Sequence, residues 1–210
     1  MSKFRRMLMM ANAVEPVPPT PVLPYDAEVE WLQSDGSAYI DTGIKAAGNL
    51  YIKTYLIDFF VNANGGKWPF GGRTSSRSGM FGLLINNNDK RVYMAYNTSS
   101  GTIAFNTCTS YPQSAVVEIG NGNVKIGTTS HTYTTATFTS TQNVTLFGLN
   151  NGGTQIVMAI KIGPTYLTDG TNTVDLIPVR KDGVGYMYDK ISGNLIGTPV
   201  GAFTYGNDVS

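Results

Sequence analysis

From Tyr25 to the C-terminus, no stretch of this chain repeats apolar residues at helical spacing. They alternate with polar residues in short runs, cut by residues that favour turns. Such a chain cannot cover a core with helices, so each strand must bury one face against a second sheet. The clearest single signal is Gly120-Asn-Gly-Asn123 between the runs Ala115–Ile119 and Val124–Ile126, because Asn-Gly supplies the positive φ angles of a tight hairpin turn. Met80–Ile85 and Arg91–Tyr96 flank a polar connection in the same way, and Val144–Leu149 and Gln155–Ile162 follow. Glu28–Leu32 is expected to point Val29 and Trp31 inward, and Leu50–Phe60, apolar on both faces, reads as a central strand. Only 14% of the residues are charged and 24 are glycine, as expected of many strands joined by tight turns. The fold expected is all-β, a two-sheet antiparallel sandwich over residues 25–210.

Residues 1–24 are different. Five prolines, at 16, 18, 19, 21 and 24, exclude helix and central strand and favour an extended polyproline II spacer. Ahead of it, Phe4, Arg5, Arg6, Met7, Leu8, Met9 and Met10 form a basic, apolar plug that reads as an anchor docking into a larger assembly. The run from Met7 to Ala11 is too short for the core of a secretory signal, so export through it is not expected. No stretch has the length of a membrane span.

Charge and cysteine usage narrow the chemistry. The arm holds three basic residues against Glu15, a net +2 in a chain of formal charge +1, which leaves −1 on the remainder. That balance does not suit a nucleic-acid partner. Cys108 is the only cysteine and His131 the only histidine, so an intrachain disulfide is excluded and a histidine-rich metal site or Ser-His-Asp triad has little to draw on. His131, in a Thr/Ser-rich stretch, reads as a solvated strand or loop residue.

Two segments carry a family resemblance. Val29-Glu-Trp-Leu-Gln-Ser-Asp-Gly-Ser-Ala-Tyr-Ile-Asp-Thr-Gly43 is similar to the opening of concanavalin A-like, laminin G-like jelly-roll domains of gut bacteria and their phages. Leu176-Ile-Pro-Val-Arg-Lys-Asp-Gly-Val-Gly-Tyr-Met-Tyr-Asp-Lys-Ile-Ser-Gly193, followed by Gly201-Ala-Phe-Thr-Tyr-Gly206, resembles their close, and Pro69-Phe-Gly-Gly-Arg73 resembles a motif between the two. The resemblance implies a jelly-roll whose first and last strands meet. The same residues make physical sense alone: Gly183, Gly185 and Gly193 allow tight turns, and Asp189 can bond nearby amides.

Jelly-roll glycosidases of the laminarinase type set paired carboxylates on one strand face, and this chain lacks their Glu-x-Asp-x-x-Glu pattern. Glu28 and Glu30 read as an exposed polar face, so no enzyme activity is expected. Trp68, placed in a loop by Gly65-Gly66-Lys67-Trp68-Pro69, is the candidate for stacking on a sugar, with Arg73, Arg77, Tyr96 and Asn97 near it. The alternative is that Trp68 packs over the end of the core. No cofactor is expected, apart from calcium at turn residues such as Asn88, Asp89 and Asp169, whose spacing is also that of ordinary turns. Plug, spacer and lectin-like domain together fit a structural component of a phage virion, a head-decoration, fibre or tail-associated protein displaying its domain to host glycans and able to form homo-oligomers through its arm. A bacterial surface or secreted carbohydrate-binding module is the second reading.

Overall fold

The computed structural model describes residues 23–60, 66–74, 78–86, 89, 91–98, 103–107 and 110–209. The anchor Phe4–Met10, Cys108, Arg77 and Asn88 lie outside them. The strands are β1 (Ala27–Glu28), β2 (Leu32–Ser34), β3 (Ile40–Ala47), β4 (Tyr51–Ile57), β5 (Lys67–Arg73), β6 (Ser78–Asn86), β7 (Arg91–Thr98), β8 (Ile103–Thr107), β9 (Ala115–Gly120) and β10 (Asn123–Ile126), then β11 (Thr129–Thr132), β12 (Thr139–Leu146), β13 (Gly148–Asn151), β14 (Thr154–Val157), β15 (Lys161–Thr168), β16 (Thr173–Lys181), β17 (Val184–Asp189), β18 (Asn194–Ile196) and β19 (Phe203–Tyr205).

They form two sheets packed as a sandwich. The larger runs β11-β10-β9-β4-β15-β16-β17-β18, with β1 beside β16 and β2 joining β15 to β19. The smaller runs β14-β13-β5-β6-β7-β8, and β12 connects β3 to β5. Among the described residues every strand pairing is antiparallel except that of β13 with β5. No helix among them is long and apolar enough to cross a membrane.

Alternation decides which side chains meet between the sheets. Ile52 and Leu56 from β4, Val117 and Ile119 from β9, and Leu167, Leu176 and Met187 face Phe70, Phe81, Leu83, Ile85, Val144 and Leu146 of the other sheet, all fully buried. Thr54 and Thr165 also point inward, and their hydroxyls bond each other at 2.7 Å across β4 and β15, which meets the need of a buried polar group for a partner. The even positions of β4 therefore make core, and Tyr51, Lys53 and Tyr55 must face away from it.

The hairpin expected at Gly120–Asn123 is present: Asn121 and Gly122 have φ of 52° and 76° between β9 and β10. The two ends of the domain meet. Phe203 of β19 pairs with Ser34 of β2, and the Asp35 carboxylate accepts the amides of Ser37, Ala38 and Ala202. Gly36, at φ 98°, completes that turn.

Three expected strands are interrupted. Glu28–Leu32 breaks after β1, and although Val29 is buried, Trp31 is only half-buried, with Lys161 Nζ 4.7 Å from its ring centroid and Gly206 against it. Leu32 takes the core position instead. Val144–Leu149 is broken at Phe147, whose φ of 65° leaves the strand region, and Gln155–Ile162 divides into β14 and the start of β15. Gly185 lies inside β17 and serves no turn there. Its bare Cα admits Leu32 Cδ2 and Phe203 Cβ, which an added Cβ would meet at 2.8 and 3.0 Å.

Candidate functional site

The outer face of the larger sheet carries the most distinctive surface of the domain. Tyr55, Val116 and Tyr166 are 38%, 37% and 37% exposed, and with Pro164, Lys53 and Asp175 they line an open groove of about 470 Å³. Strand register builds it. Tyr55 pairs with Val116, Lys53 with Glu118, and Tyr166 with both Lys53 and Asp175, so residues from four adjacent strands share one face. Gly163 contributes by lacking a side chain: a Cβ there would meet the Tyr55 ring at 3.2 Å. The ring therefore lies against the backbone of β15, where the pairing with β4 is irregular between Ile162 and Thr165.

The tyrosines are held in place. Tyr51 meets Tyr166 edge-on at 6.2 Å between centroids and donates its hydroxyl to Glu118 Oε2 at 3.1 Å. Burial against the sheet, and then that carboxylate, push the Tyr51 phenol up from its ordinary value, so it stays neutral through the physiological range. The charges around the groove are paired as well: Lys53 with Glu118 at 3.7 Å and Asp175 with Lys190 at 2.8 Å. Such a surface offers aromatic faces and hydroxyls with little net field, which suits a neutral polyhydroxylated ligand better than an ionic one.

Of the residues expected to form the site, Trp68 and Tyr96 stand differently from expectation. Trp68 sits within β5 and not in a loop. Pro69 occupies the irregularity where β5 pairs with β6, so the strand accommodates a residue that cannot donate to the ladder. The half-buried Trp68 ring packs toward Gly82, where an added Cβ would stand 3.4 Å from it. Arg73 donates through Nε to Asn151 Oδ1 at 2.8 Å. Tyr96 points between the sheets, 3% exposed, and its hydroxyl joins the Gly48 carbonyl with the Ala136 carbonyl and amide. A residue engaged in this way cannot stack on a sugar. Asn97, next to it, adopts φ 63°.

The expected calcium residues act in turns. Asp169 accepts the amides of Thr171 and Asn172 and the Asn172 side chain, and these bonds, against a smaller opposing effect of burial, hold its carboxyl below the usual range. Asp89 accepts the Tyr93 hydroxyl and the Arg91 amide. No group of three or more metal-binding side chains occurs among the described residues. Glu28 and Glu30 are exposed; the first accepts the Tyr25 hydroxyl and the second the Asn207 amide. His131 lies on β11, with Nε2 3.1 Å from the Tyr111 hydroxyl.

No protein-family model and no curated protein matches this chain.

Proposed function

We propose that this protein is a non-enzymatic adhesion component of a phage particle, anchored by its N-terminal arm and binding neutral glycans through the tyrosine groove of its sandwich. The observation that carries the reading is the groove. Tyr55 and Tyr166 stand exposed on adjacent strands of a rigid sheet, and each offers an apolar ring for a pyranose with a polar rim for its hydroxyls. The nearby carboxylates are committed to ion pairs and a phenol, which favours binding over acid–base chemistry. The concanavalin A-like resemblance of the two terminal segments supports a lectin-like role, and the basic plug on a proline spacer supports attachment to a larger body.

Screening the full chain against neutral oligosaccharides tests the groove. In the strongest ligand, Tyr55→Ala and Tyr166→Ala should each weaken binding about tenfold, the effect of losing about 1.4 kcal/mol of ring contact. Both side chains lie on the outer face and are more than a third exposed, so the variants should stay folded, with a melting temperature only modestly lowered by the lost ring contacts. Wild-type affinity in both variants would remove the groove from the reading. The anchor is tested separately: a chain lacking residues 1–24 should remain folded yet fail to enter particles, and normal incorporation would overturn the anchoring role.

A further inference from the structure

Three Asn-Gly steps occur in the chain, at Asn64, Asn121 and Asn151. The first lies outside the described residues, and the other two stand in opposite surroundings. Asn151 is a strand residue of β13, paired with Thr154 of β14 on one side and with Arg73 of β5 on the other. Its side-chain Oδ1 accepts Arg73 Nε at 2.8 Å, and the Gly152 amide donates to the Arg73 carbonyl at 2.9 Å. Side chain and following amide are both held. Asn121 is the first central residue of the two-residue turn between β9 and β10, which the pairing of Gly120 with Asn123 closes. It is exposed, and among the described residues neither its side chain nor the peptide joining it to Gly122 takes part in a hydrogen bond.

We propose that Asn121 is a self-modification site, where the folded chain converts asparagine to aspartate and isoaspartate through a cyclic imide with Gly122. Hydroxide removes the Gly122 amide proton, the nitrogen attacks Asn121 Cγ, and the side-chain nitrogen leaves as ammonia with a proton from water. Water then opens the imide at either carbonyl. The five-membered ring needs Asn121 Cβ and the Gly122 nitrogen nearly eclipsed about the Cα–C bond, a ψ of about −120°, and the turn offers a short route to it. The φ angles of Asn121 and Gly122, 52° and 76°, are those of a type I′ turn. Flipping the single peptide between them gives type II′, in which the first central residue keeps φ at about 60° and takes ψ of about −120°. That peptide makes no hydrogen bond, so the flip breaks none. At Asn151 the same rotation must first part Gly152 from the Arg73 carbonyl and Oδ1 from the guanidinium. Conversion changes the surface as well as the turn. Asn121 lines an open polar cleft of about 580 Å³ with Asn49, Thr135 and Thr137, whose lining carries no charge, so the product places a carboxylate on a neutral wall. Isoaspartate also adds a methylene to the turn that sets the register of β10 against β9. None of this rests on the glycan reading.

Incubating the full chain at neutral and at mildly alkaline pH, with peptide mapping by mass spectrometry at intervals, tests it. Aspartate and isoaspartate should accumulate at Asn121, faster at the higher pH because hydroxide enters the first step. Asn151 should convert at least about tenfold more slowly, the factor expected for opening its two bonds. In concentrated urea the two sites should convert at similar rates, since both are then unfolded Asn-Gly steps. Equal rates at Asn121 and Asn151 in the folded chain overturn the proposal. So does an Asn121 that stays intact in the folded chain while it converts in urea, because the turn would then protect the residue. A preference for Asn121 that persists undiminished in urea overturns the structural cause.

Discussion

Gly48→Ala is expected to destabilise the domain by about 3 kcal/mol, at the upper end of what overpacking a close-packed site costs. A Cβ at Gly48 would stand 1.9 Å from the Ala136 carbonyl oxygen and 3.2 Å from the Tyr96 hydroxyl. Neither neighbour can withdraw easily. The Ala136 peptide is held on both sides by the Tyr96 hydroxyl, at 3.0 Å to its carbonyl and 3.0 Å to its amide, and the Gly48 amide bonds the Phe138 carbonyl at 2.9 Å. Relief requires that the turn between β3 and β4 move away from the segment before β12, breaking at least one of these bonds at about 1 kcal/mol beyond the steric cost. For a domain of this size, 3 kcal/mol lowers the melting temperature by about 6–12 °C. Gly66→Ala is the control, because a Cβ there meets Leu84 Cδ1 at an ordinary 3.6 Å. Thermal unfolding followed by circular dichroism reads both variants. A Gly48→Ala protein that melts within about 2 °C of the wild type would show that the two segments have room to part.

The same three-way junction shows what a sequence can and cannot convey. Tyr96 ends the run Arg91–Tyr96, where Val92 and Met94 are core, and it is buried with them rather than turned out to a sugar. That its hydroxyl closes the gap between Gly48 and Ala136, 48 and 40 residues away, depends on how strands cross and leaves no local mark. Features legible in the sequence are those whose cause is local: the positive φ at Asn121 and Gly122 and the amide bonds of Asp189, whereas Leu50–Phe60, expected to be apolar on both faces, alternates over β4 and buries only Ile52, Thr54 and Leu56. The glycines and proline around Trp68 read as a loop for an equally local reason, but the strand tolerates Pro69 in an irregular pairing.

The groove leaves no mark in the sequence because it exists only once register is fixed. Tyr51, Lys53 and Tyr55 could be seen to share a face of one strand, but nothing nearby in sequence says that Tyr166 and Val116 stand beside them. A tyrosine pair on the solvent side of a central strand was the available signal. It becomes informative when the neighbouring strands also direct aromatic or apolar residues outward, as Pro164 and Tyr166 do.

Asp189→Ala should cost about 3 kcal/mol and make the domain less sensitive to acid at the same time. The residue is only 4% exposed, and its carboxylate accepts the amides of Asp175, Ile191 and Ser192 at 3.0, 3.1 and 3.2 Å. It thereby ties the start of β16 to the turn after β17, where Gly193 at φ 74° returns its amide to the Asp189 carbonyl. Hydrogen bonds to a charged acceptor contribute about 1.5–3 kcal/mol each when intact, and partial access of water to the freed amides returns some of that, hence the total expected. Asp189→Asn keeps an acceptor and should lose about half as much. Burial pulls the Asp189 carboxyl upward, but the bonds from Ser192, Asp175 and Ile191 outweigh it and hold the group below its ordinary value. A carboxyl depressed in the folded state binds its proton more readily when unfolded, so its stabilisation is complete above the unfolded value near 4 and is lost as pH falls through the folded one. Asp35 adds to this in the same direction, held low by the Ser37, Ala38 and Ala202 bonds, and so does Asp169. Melting temperature should therefore stay level from about pH 7 to 5 and fall below about pH 4. In Asp189→Ala the curve should start lower and fall less steeply, since one of the groups driving the transition is gone. An unchanged acid slope would mean that this carboxyl is not held as the geometry requires.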